Sequence, residues 1–101
     1  MSDFDYIREK LPYEELLCQL AEEGAELSHA ALKLRRVLDG TNPTPVTYEE
    51  ATANLFEEIA DILNILTALQ LVEKHHAVQY AQISMQKSCR WCERLKEKYG
   101  E

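Results

Sequence analysis

The chain has 101 residues, 46% apolar and 29% charged, with a net charge of −7. That length predicts a single domain over 1–101 with a small core of its own. The negative balance argues against nucleic acid or an anionic membrane surface as the partner of the bare protein.

In chain order, Ser2 and Asp5 are placed to cap a short first helix carrying Phe4, Ile7 and Leu11. Pro12, Glu14 and Glu15 open a long second helix: proline is tolerated in a first turn, and acids suit the positive end of the helix dipole. Its predicted inner stripe is Leu17, Leu20, Gly24, Leu27, Ala31, Leu34 and Leu38, and Gly40 is the expected stop. Pro43 and Pro45 stiffen the loop from Thr41 to Val46. Thr47 and Glu50 form a capping-box pattern that starts another long helix, with Leu55, Ile59, Ile62, Leu66 and Leu69 on one stripe. No glycine or proline follows until Gly100, so a turn near Glu73–His76 is expected only because an unbroken helix of that length is rare. The last helix is expected to turn Tyr80, Ile83, Trp91 and Leu95 inward. The expected fold is all-α: three long helices and a short N-terminal one, completed by a second copy of the chain.

The most apolar stretch, Ile59 to Val72, contains Asp61 and Asn64 and is too short to span a bilayer. No apolar run of the signal-peptide kind stands at the start. Three cysteines, Cys18, Cys89 and Cys92, make no disulfide framework, and their odd number fits a reducing, cytoplasmic setting.

A short acidic phrase occurs twice: Leu20-Ala-Glu22-Glu23-Gly-Ala-Glu26 and, thirty-five positions later, Leu55-Phe-Glu57-Glu58-Ile-Ala-Asp61. Each copy sets two carboxylates three residues apart on one side of a helix. On the predicted wheels, Glu23 and Glu58 lie about 70° from the centre of the apolar stripe, and Glu26 and Asp61 about 130° on the same side. Two neighbouring helices with matching offsets can aim all four at one groove. Like charges so gathered repel, and a hard divalent cation held by oxygen is the natural reason for them. Solvated helix faces, or the trace of a duplicated hairpin, are the plain alternatives.

At these residues the chain resembles the MazG-like, all-α nucleoside triphosphate pyrophosphohydrolases, whose signature EExxE followed by ExxD is met by Glu22-Glu23-Gly-Ala-Glu26 and Glu58-Ile-Ala-Asp61. The 31 residues between Glu26 and Glu58 slightly exceed the family's spacing, the excess falling in the proline-rich loop. The resemblance implies Glu23, Glu26, Glu58 and Asp61 as Mg2+ ligands and Glu22 and Glu57 as candidates for the catalytic base. It also implies a homodimer or homotetramer that hydrolyses a nucleoside triphosphate to the monophosphate and pyrophosphate. Asn64, one turn beyond Asp61, and Lys87, Arg90 and Arg94 on the last helix are candidate substrate contacts. A related reading is phosphoribosyl-ATP pyrophosphohydrolase. Against it, Asn64-Ile65 stands where a Tyr-His pair is expected. A non-catalytic helical association module is the alternative from another class.

Overall fold

The computed structural model describes residues 1–101, and every regular element is helical: α1 (Asp3–Lys10), α2 (Tyr13–Asp39), α3 (Tyr48–Ala68), a 3-10 turn at Lys74–His76, and α4 (Ala77–Tyr99). The chain divides into two compact units, Met1–Leu71 and Val72–Glu101. None of the helices is long and apolar enough to cross a membrane.

In the first unit the helix ends are written locally. Ser2 accepts from the Asp5 N–H at 3.1 Å, and the Asp5 carboxylate accepts from the Ser2 N–H at 3.2 Å. Thr47 and Glu50 repeat that box at 3.1 Å in both directions. The Ser2 backbone bond, then the bonds from Arg8 and the Ser2 hydroxyl, hold the Asp5 carboxyl below its usual range. Arg8 also bonds Asp5 at 2.7 Å and reaches across to the Thr67 carbonyl at 3.3 Å. A guanidinium thus sits on the negative end of α3 and pins α1 against it. α2 stops at Gly40, whose φ of 67° suits a residue without Cβ.

α3 ends without a glycine. Its chain leaves the helix at Leu69 rather than near Glu73, and Gln70 takes φ 60°. The Gln70 N–H donates to Thr67 O at 3.0 Å and the Leu71 N–H to Leu66 O at 3.1 Å, the crossed pair of a Schellman stop. A glutamine in this conformation carries a steric cost that glycine does not. Gln70→Gly is therefore expected to stabilise the chain by about 1 kcal/mol, read as a higher midpoint in urea at unchanged slope. A lower midpoint would mean that the Gln70 side chain contributes more than its backbone costs.

α2 and α3 run antiparallel. Leu16, early in α2, packs with Ala68 and Leu69 at the end of α3, where Phe4, Ile7, Leu20, Ile65 and Leu71 close around them. Further along α2, Glu23 meets Glu58 and Asp61, earlier in α3. Ala30 and Ala51 are the other buried residues. A shielded line along α2 runs through Leu16, Leu20, Glu23, Leu27, Ala30, Leu34 and Val37. Leu20, Gly24, Leu27 and Leu34 are shielded as expected, but Leu17, Ala31 and Leu38 are exposed, so the inner face is turned by roughly 60° from the predicted stripe. On α3 the shielded line is Ala51, Leu55, Glu58, Ile62 and Ile65, continuing to Leu69, and Ile59 falls outside it.

The second unit is built on α4, which buries none of its residues. Tyr80, Ile83, Trp91 and Leu95 were expected inside but are 47%, 40%, 64% and 46% exposed. Their stripe has the helical spacing of a packed face. Gly100, at φ 70°, closes the helix.

Candidate metal centre

Glu23 and Glu58 occupy positions that the 3.6-residue repeat assigns to apolar side chains, flanked by Leu20 and Leu27 on α2 and by Leu55 and Ile62 on α3. Both are half-buried. Because the helices are antiparallel and in register, these two glutamates come together, and Asp61, three residues after Glu58, joins them from the exposed side. One carboxylate oxygen from each of Glu23, Glu58 and Asp61 lies within 4.8 Å of the others.

The cluster carries its own electrostatic signature. The Glu58 Oε2 atom is shut off from solvent and has no hydrogen-bond partner. Burial pushes the Glu58 carboxyl above its usual range, and the charges of Asp61, Glu23, Glu26 and Glu57 push it further in the same direction. Neither ion pair of the chain, Arg8–Asp5 or Arg35–Asp39, involves these acids. Gln19 steadies one of them: its Nε2 donates to Glu23 Oε1 at 3.4 Å. Sequence reading passed over Gln19, although its position four residues before Glu23 on the same face was the signal.

The other candidates fall into three places. Glu26 is exposed and outside the group of three, though close enough for its charge to act on Glu58. Glu22, Glu57 and Asn64 are exposed on α2 and α3. Lys87, Arg90 and Arg94 belong to the second unit, where with Ser84, Ser88 and Trp91 they line an open groove of about 630 Å³ on α4. Trp91, expected in the core, stands on that surface. Cys18, Cys89 and Cys92 are all free thiols. The neighbouring Glu93 raises the Cys89 thiol above its usual range, first by its charge and then by accepting a hydrogen bond at 3.6 Å, so Cys89 is held in its less nucleophilic form.

The donor set suits a hard cation: three carboxylates, no nitrogen and no sulfur, with one inner oxygen unsatisfied. An uncompensated carboxylate on a helix seam is costly, and a cation would remove that cost. Compared with known proteins, the chain matches no family model, no curated protein and no solved structure.

Proposed function

We propose that the chain is a magnesium-dependent nucleotide pyrophosphohydrolase, acting on the anhydride between the α- and β-phosphates of a nucleoside triphosphate. The observation that supports this most is the meeting of Glu23, Glu58 and Asp61 across the α2–α3 seam, with Glu58 Oε2 left unsatisfied.

In this reading Glu23, Glu58 and Asp61 hold Mg2+, and Glu26 stands beyond them as a further oxygen donor. When bound, the cation supplies charge neutralisation for the phosphates and lowers the pKa of water. The remaining work belongs to side chains. Glu57, adjacent to Glu58 and open to solvent, or Glu22, its counterpart on α2, takes the proton of the attacking water. Water adds across the anhydride, the bridging P–O bond breaks, and monophosphate and pyrophosphate leave. Hydrolysis of this kind asks mainly for positioning and charge stabilisation, so no covalent nucleophile is needed. Gln19 keeps Glu23 aimed at the seam. Asn64, one turn from Asp61, is assigned to the substrate. Lys87, Arg90 and Arg94 are assigned to phosphate on their chemistry, as three cations around one groove.

Self-association belongs to the same proposal. Phe56, Ile59 and Leu63 make an exposed apolar line on α3, at 66%, 39% and 54%, and Ile83, Trp91 and Leu95 are exposed along α4. Apolar surfaces of this kind are what subunit contacts cover.

Pyrophosphate release, measured across nucleotides with and without magnesium, tests the activity. Metal-dependent release from several triphosphates is the expected result. Release from phosphoribosyl-ATP alone would select the narrower enzyme, and no release from any would leave a helical association module.

A further inference from the structure

The turn that opens the second unit contains a small closed ring of hydrogen bonds. The Glu73 N–H donates to His76 Nδ1 at 3.1 Å, and the His76 N–H donates back to the Glu73 carbonyl at 2.9 Å. The first bond needs an imidazole nitrogen with a free lone pair, so it exists only while that ring is neutral and carries its proton on Nε2. A proton on Nδ1 would turn the acceptor into a donor facing another donor.

The surroundings do nothing to soften that conflict by way of the helix. His76 is the residue that precedes α4, whose first turn contains no acid. The positive end of the helix dipole therefore opposes a cation at this point. Lys74 and His75 share the turn, and the His75 ring centroid is 4.0 Å from that of His76. The Tyr80 ring stands at 6.2 Å from the α4 side. The carboxylate of Glu73 is the one acid of the turn, and attraction to it can draw an imidazolium away from the amide it capped.

We propose that Glu73 and His76 form a proton-operated latch on the turn that leads into α4: closed when the imidazole is neutral, open when it is protonated. Closing fixes the turn that starts α4. Opening releases the Glu73 amide to water and frays the first turn of the helix. Histidine is the side chain whose ordinary titration falls in the physiological range, and acid is what opens the latch.

Nitrogen-15 NMR of the full chain between about pH 8 and about pH 5, a span around the ordinary histidine value of ~6.5, tests the latch. At the upper end His76 Nδ1 should show the signature of an unprotonated, hydrogen-bonded nitrogen. On acidification the Glu73 amide proton should shift upfield with the same midpoint as the His76 ring. His76→Gln keeps an acceptor that does not titrate, so its Glu73 amide should hold still over the same span. His75→Gln should titrate like the wild type. A Glu73 amide that ignores pH in the wild type, or that still moves in His76→Gln, overturns the proposal.

Discussion

Glu58→Gln is expected to reduce magnesium-dependent hydrolysis by about 100-fold or more, at or beyond the loss usual for the outer partners of metal ligands. The same change should make the metal-free protein more stable at neutral pH. The two effects have one cause. Glu58 is half-buried and faces Asp61, Glu23, Glu26 and Glu57 without a cation, and its carboxyl is raised in the folded state. A group raised by folding binds its proton better in the native protein than in the unfolded one. Its stabilising contribution is thus complete below the unfolded value and is lost as pH climbs through the folded one. Glutamine is neutral throughout. The melting temperature of Glu58→Gln should exceed the wild type's at pH 7, and the gap should close on acidification, when the wild-type carboxyl is neutral too. Magnesium should raise the wild-type melting temperature by mass action and leave that of the variant nearly unmoved. Asp61→Asn, at the exposed corner of the group, should lose activity with little change in metal-free stability. Full turnover in both variants would remove these acids from the chemistry, whatever their effect on melting.

Leu16→Ala should be the most damaging single truncation in the first unit. Leu16 is 2% exposed and packs with Ala68 and Leu69, two of the few fully buried residues of the chain. Removing a leucine from such a place costs about 2–5 kcal/mol. In a unit of this size that lowers the melting temperature by roughly 8–40 °C. Leu17→Ala, one position along, should cost at most ~0.5 kcal/mol, because Leu17 is 42% exposed. The pair measures the rotation of α2 directly. Equal losses at the two positions, or a larger loss at Leu17, would contradict the observed face.

That rotation also shows where sequence reading reached its limit. Helix ends fixed by side-chain caps were legible: Ser2 with Asp5, Thr47 with Glu50, and Gly40 each signal through chemistry confined to a few residues. The face of α2 was not, because Leu16 and Leu17 are both leucine and Ala30 and Ala31 both alanine, and a wheel drawn through either member of each pair is equally apolar. Choosing the wrong member moved Glu23 from the seam to its margin, and taking Ile59 into the α3 stripe did the same to Glu58. The repeated acidic phrase nonetheless contains the three acids that meet, since its spacing does not depend on the rotation. The end of α3 was hidden for a different reason: Gln70 adopts a backbone conformation for which the sequence carries no glycine. The amphipathic pattern of α4 marks a face by its spacing but does not say what that face packs against.

The placement of Glu23 and Glu58 has a mechanical consequence for the hairpin. Its two tips are gripped by apolar contacts, Leu16 with Ala68 and Leu69 at one end, Ala30 and Ala51 buried towards the other. Its waist is where the like charges face each other. Helical hairpins ordinarily breathe from their frayed extremities inward. Here the mutual repulsion sits at mid-length, so whatever neutralises the waist acts as a rivet, tightening both arms at once from the centre.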